Sequence, residues 1–233
     1  MAATPVSRTS ERFCAPDADL TVSSCDGVLF KVHRKHLEVH SDVFADAANA
    51  TRPENGDEVV QLEETSDALE LLFQFMYRQP QPDLRRVEFP KFMEFAEAAE
   101  KYVVYAALTV MESQMKEHIT KYPLEVLDFA VKHGRRELGN EAARMTGGLP
   151  MSYAATILAP DTFTKWMAFH DKWHAGAMNA VAELVTRVKD HNREELSTTV
   201  ARCVLDPRRW YTESGVKKYA YPTETAFLDT DFS

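Results

Sequence analysis

Cysteine is scarce in this chain, and no two cysteines are spaced to do chemistry together. Cys14, Cys25 and Cys203 are the only three in 233 residues. Their number is odd, and no C-x-x-C step or cysteine–histidine finger spacing occurs. Neither a disulfide framework nor structural zinc is therefore expected, and reduced thiols of an intracellular protein fit the pattern. Long apolar runs are missing as well. Nothing approaches the roughly 18 apolar residues that read as a membrane span. Arg8, Glu11 and Arg12 near the start have no signal-peptide core beside them. The expected location is cytoplasm or nucleus. Basic clusters are also absent: the formal net charge is −9, and Arg85-Arg86, Arg135-Arg136, Arg208-Arg209 and Lys217-Lys218 stand apart from one another. Affinity for a phosphate backbone needs clustered Lys and Arg, so no nucleic-acid partner is expected. No G-x-S-x-G, P-loop or dinucleotide-binding glycine pattern is found either, and no cofactor is expected.

What is present is ordinary globular material, 45% hydrophobic and 27% charged. Residues 1–16, rich in Ala, Thr, Pro, Ser and Arg, read as a flexible arm. Leu20, Val22 and Ser24 then alternate with polar residues, Asp26-Gly27 supplies a turn, and Val28, Phe30 and Val32 alternate again, which predicts a β-hairpin. Beyond Val32 the period becomes helical, through Leu37, Ser41 and Phe44, with Ser41-Asp42 placed to cap a second short helix. Val59, Val60 and Leu62 predict a third strand. Thr65 or Ser66 caps a helix carrying Leu69, Leu72, Phe73 and Met76, and Pro80 and Pro82 end it. Val87 and Phe89 read as an edge strand or extended link. From Phe92 onward the chain reads as helical. Pro123 sits at a helix start, Gly147-Gly148 at a helix stop, and Asp161 opens the longest helix. Leu196, Val200 and Val204 suggest a last helix before Pro207.

The ordered set Asp19-Leu20-Thr21-Val22, then Asp26 through Leu37 with its F-x-V-H-R-x-x-L phrase, then Ser41-Asp42-Val43-Phe44, then Leu69 through Tyr77 with L-x-x-L-x-x-F-M-Y, then Phe95 through Tyr102, resembles the BTB/POZ domain. The resemblance spans residues 17–120. It implies an α+β fold, a small sheet flanked by helices, followed here by an all-helical second half over 121–206 and a tail over 207–233. Short helical extensions of this kind are similar to those of fungal BTB proteins.

The function the resemblance implies is non-catalytic protein–protein interaction: homodimerisation and recruitment of partners such as cullin ligases or co-repressors. Some members pair an Asp of the first strand with a basic residue after the His, forming a charged pocket near the dimer groove. Asp19 and Arg34 occupy those positions here, and a structural ion pair is the competing account of them. Cullin-binding members carry an apolar–x–acidic step after the V-F helix. Here Arg52 stands before Glu54 where that apolar residue belongs, which argues against a cullin adaptor. Dimerising members carry a long helix before the first strand, for which Ser10–Pro16 leaves little room.

The stripe Phe163, Trp166, Phe169 and Trp173 reads either as core or as an aromatic groove for a partner peptide. His36/His40 and His170/His174 have the i,i+4 spacing of metal ligands, but neither pair has the glutamate of H-E-x-x-H or an evident third ligand. Three functions compete on this basis: an interaction scaffold, a cullin-type substrate adaptor, and an enzyme or metal protein built on the helical half.

Overall fold

The computed structural model describes residues 8–50 and 59–187. The predicted helix at Leu196–Val204, the tail over 207–233, Cys203 and the Arg52–Glu54 step lie outside the described residues. The chain divides into two compact units between Gln114 and Met115.

The first unit is built on a four-stranded sheet. Strand β1 is Arg8–Cys14, β2 is Leu20–Ser23, β3 is Val28–Val32 and β4 is Val59–Gln61. They lie in the order β1-β3-β2-β4. The hairpin forms as its alternation predicts, with Leu20 opposite Val32 and Val22 opposite Phe30. Gly27 closes the turn at φ +80, a left-handed conformation that other residues adopt only at a cost. The Ser24 hydroxyl accepts from the Val28 N–H at 3.0 Å and fixes the loop from the other side.

The flexible arm predicted for residues 1–16 is corrected in its second part. Residues 8–14 form β1, which runs parallel to β3 with Arg8 opposite Val28 and a register shift before Cys14. Two inward residues hold it, Ser10 and Phe13. Phe13 meets Phe73 at 5.6 Å, Phe30 at 6.2 Å and Tyr77 at 5.4 Å between ring centroids. The shifted register breaks the period-two signal, which is why a single aromatic among polar residues reads as coil.

Helices α1 (Arg34–His40) and α2 (Asp42–Ala50) follow β3. They are separated at Ser41, whose hydroxyl accepts from the Phe44 N–H at 3.2 Å and so caps α2. Helix α3, Ser66–Gln74, starts at the predicted Thr65 cap. It ends before Pro80, because Phe75 and Met76 already bond back to Leu72 and Phe73 in a tightened turn. Of the edge strand or extended link expected around Val87 and Phe89, the extended link forms: Val87 and Glu88 are extended between a short 3-10 turn over Leu84–Arg86 and α4, Phe89–Tyr102. Asp83 caps that turn, and Pro90 suits the first turn of α4. Phe30, Leu37, Leu69, Leu72, Phe73, Met76, Phe92 and Phe95 form the buried core. At about 1.5–3 kcal/mol for each fully buried side chain of this size, such a core is the main favourable contribution to the unit.

Helix α5, Tyr105–His118, carries the division between the units. The second unit continues with α6 (Pro123–Lys132), α7 (Arg136–Arg144), α8 (Met151–Ile157) and α9 (Pro160–Arg187). Leu124, Leu127, Phe129, Leu138, Ala142, Leu158 and Trp166 are buried there. The Asp128 carboxylate accepts from the Ala159 N–H at 2.9 Å beside the start of α9. Gly147 does not stop a helix, since α7 already ends at Arg144. A Cβ at Gly147 would lie 2.5 Å from the Trp173 ring, so the glycine makes room for that indole.

Candidate interaction surface

Two junctions of the first unit gather the polar and surface residues of interest. The first lies where β3 turns into α1. A helix begins with N–H groups that have no partner of their own. His33, in the N-cap position, offers no side-chain cap here. Other segments supply the acceptors instead. The Asp19 carboxylate accepts from the Arg34 backbone N–H at 2.7 Å. The Tyr77 hydroxyl accepts from the His33 backbone N–H at 2.8 Å and lies 3.1 Å from the His33 Nδ1. His33 Nε2 is 3.5 Å from Asp17, and the His36 ring stacks on Tyr77 at 4.4 Å. Burial raises the Tyr77 hydroxyl pKa; the His33 N–H pulls it back, and Asp19 and Asp17 push it further up.

The structure thus brings Asp19 and Arg34 together, but by a different bond from the one expected. The carboxylate meets the backbone of Arg34, and no ion pair joins the two side chains. A carboxylate at a helix N-terminus is held by the N–H donor and by the local positive end of the helix dipole. That geometry depends on Arg34 only through its main chain.

The second junction joins the α1–α2 elbow to the α4–α5 elbow. Ser41 and Val104 form an isolated antiparallel bridge, and the Ser41 hydroxyl donates to the Tyr102 carbonyl. Phe44 stacks on Tyr102 at 4.7 Å. The Tyr102 hydroxyl donates to Glu64 at 2.6 Å, and Lys101 reaches Glu64 at 2.7 Å and Glu63 at 3.1 Å. Burial and the neighbouring Glu64 carboxylate push the Tyr102 hydroxyl far up. Partial burial raises Glu64, yet the bonds from Lys101 and Tyr102 outweigh it and leave its carboxyl below the usual range. Val103 is held at φ 50, a left-handed conformation that a β-branched residue enters at a cost.

This second junction carries apolar side chains that face solvent. Val39 is 64% exposed, Tyr105 59% and Val43 37%. They flank Ser41 and Val104 in sequence, and the Tyr105 hydroxyl is tethered to Asp42. Sequence reasoning passed over Val39 and Tyr105, although a signal existed. Val39 lies two positions from both Leu37 and Ser41, and Tyr105 lies two from Ala107, which in a helix sets each away from the buried stripe.

The aromatic residues of α9 are placed differently. Trp166 is fully buried and Trp173 is buried, while Phe163 and Phe169 are half-buried. The Trp166 indole N–H donates to the Thr146 hydroxyl at 2.8 Å, which satisfies the one polar group such a ring carries. Two of the four rings are therefore packed inside rather than presented to a peptide. Among the described residues no group of three or more His, Cys, Asp or Glu is arranged to hold a metal ion. Among them, too, no helix is long and apolar enough to cross a membrane.

Comparison with known proteins agrees with this architecture. No curated protein matches the chain. The family model described as BTB/POZ domain matches residues 7–119. That match starts at residue 7 where the sequence pattern alone began at 17, and so takes in β1. The domain is a protein-interaction module. Residues 7–119, just under half of the chain, carry a BTB/POZ domain.

Proposed function

We propose that the chain is a non-catalytic scaffold that recruits proteins through its BTB/POZ unit, and that its first partner is a second copy of itself. The observation that carries this reading is the solvent-facing set Val39, Val43 and Tyr105 around the Ser41–Val104 bridge. In a unit whose core is otherwise well filled, large apolar side chains grouped on the surface mark an association face. The same three residues, presented twice across a two-fold axis, are self-complementary, as an isologous dimer requires. The segment after the domain, with its described helices from Pro123 to Arg187, then acts as a platform, and neither segment turns over a substrate.

The test is light scattering of the full chain across a concentration series, wild type against a Val39→Asp, Val43→Asp double variant. The expected result is a mass that rises towards twice 26.5 kDa in the wild type and stays at 26.5 kDa in the variant. A wild-type mass of 26.5 kDa at every concentration overturns self-association. If a purified cullin then binds saturably, the adaptor function takes its place; if it does not, partner recruitment by this face falls with it.

A further inference from the structure

We propose that His170 makes the seating of α9 on the Thr146–Leu149 segment proton-sensitive, so that mild acid releases this helix face and uncovers Trp166 and Trp173. The argument starts from position. His170 is 7% exposed and lies at helical spacing between Trp166 and Trp173, so the three share one stripe. Its ring centroid is 4.6 Å from Trp166 and 4.4 Å from His174. Trp166 bonds to Thr146, and Trp173 lies against Gly147. Neither Nδ1 nor Nε2 of His170 makes a hydrogen bond of ordinary geometry. Buried polar atoms are normally paired, and on this buried ring the Leu149 backbone approaches as a partner without completing an ordinary bond. A neutral ring tolerates that place at modest cost. A protonated ring there is a buried cation without a counter-ion, which is far more costly.

The surroundings do not supply the missing charge. On α9 itself, His174 disfavours the proton and Asp171 favours it, as does the Leu149 backbone. The Thr146–Leu149 segment has no ionisable side chain, and α8 has only Tyr153. Helix α6 brings Glu125, Asp128 and Lys132, and Asp128 is engaged by the Ala159 N–H. Burial first, and His174 second, hold the imidazole below its ordinary value of 6.5. The seated ring therefore binds fewer protons than the released one. Seating is strongest above 6.5 and weakens as the pH falls from there towards the lowered value. For one proton the seating equilibrium changes by at most about tenfold per pH unit within that window.

The experiment is tryptophan emission of the full chain in a Trp210→Phe background, which leaves Trp166 and Trp173 as reporters, from about pH 8 to about pH 5. The expected result is a one-proton red shift that begins below 6.5, disappears in His170→Phe and persists in His174→Gln. No shift, or an unchanged shift in His170→Phe, overturns the proposal. Should His170→Phe fail to fold, an NMR titration of the histidine rings of the unsubstituted chain decides instead. Protonation of His170 together with the emission change supports the proposal, and protonation without it overturns it.

Discussion

Asp19 and Arg34 offer the sharpest test of how the first unit holds its polar groups. If the carboxylate caps α1 through the Arg34 N–H at 2.7 Å, the two side chains act independently. Removing a capping oxygen costs about 0.5–2 kcal/mol, centred near 1. Asp19→Ala should fall in that range. Asp19→Asn keeps an acceptor and loses only the charge at the helix start, a difference of about 0.3–1 kcal/mol for an exposed group at low salt. Arg34→Ala keeps its backbone N–H, so its cost should stay within the roughly 0.5 kcal/mol of an ordinary surface change.

The double-mutant cycle separates this from an ion pair. Equilibrium urea unfolding of the wild type, Asp19→Ala, Arg34→Ala and the double variant gives the coupling directly. Independent sites add to within about 0.3–0.5 kcal/mol, and that is the expected result. A side-chain ion pair would appear as Arg34→Ala costing as much as Asp19→Ala, with a coupling of about 1 kcal/mol, the upper end for exposed pairs. It would also be weakened by salt, whereas the cap bond would be weakened less. That outcome would refute the capping argument.

Other substitutions probe the remaining contacts. Tyr77→Phe keeps the ring on His36 but strands the His33 N–H, and should lower stability by about 1–3 kcal/mol in the same urea assay. Gly147→Ala forces a methyl group onto the Trp173 ring; the expected loss is about 1–3 kcal/mol, read as a lower melting temperature with altered near-ultraviolet dichroism. At Val103, φ 50 inverts the usual order of small residues: Val103→Gly should be more stable than Val103→Ala by about 0.5–1 kcal/mol, because alanine retains the left-handed penalty. Glu64 titrates below its ordinary 4.5 in the folded chain, so its contribution is complete above 4.5 and is lost as pH falls through the lowered value; Glu64→Gln should flatten the acid side of the stability–pH curve.

The hairpin, the Ser41 and Thr65 caps and the helices described between Pro123 and Arg187 were legible because each rests on a local rule. Alternation flanks Asp26-Gly27, and a hydroxyl precedes each of the two helices α2 and α3. Strand β1 was not legible. Its inward residues Ser10 and Phe13 follow no strand period, and its partner β3 follows later in the chain across the whole hairpin. The role of Gly147 was hidden for a similar reason. Nothing near it in sequence announces Trp173, whose ring takes the space a side chain would need. The family pattern sets Asp19 beside Arg34, but a pattern records residue types and cannot tell a side-chain pair from the bond to the Arg34 backbone that the fold makes. The exposure of Val39 was implicit in its spacing from Leu37, but apolar residues in a helical stretch are read as core by habit.

The junctions share one physical device, and it narrows where a partner can bind. Short helices leave several backbone donors unsatisfied at each start, and this chain meets them with polar side chains from distant segments. Asp19 serves Arg34, Tyr77 serves His33, Asp26 serves Ser66 at 2.8 Å, and Asp128 serves Ala159. Each of these residues looks functional in the sequence, being charged or polar beside an element boundary. In the folded chain each is engaged by a backbone N–H, and a ligand that recruited it would release a donor at a cost of about 1–3 kcal/mol. Val39 and Val43 satisfy no such donor, and the Tyr105 ring is free although its hydroxyl is tied to Asp42. Covering them costs no internal bond and removes apolar surface from water. A partner of the first unit therefore gains most by contacting the apolar side chains around Ser41 and Val104, and least by competing for the polar groups that hold the helix starts in place.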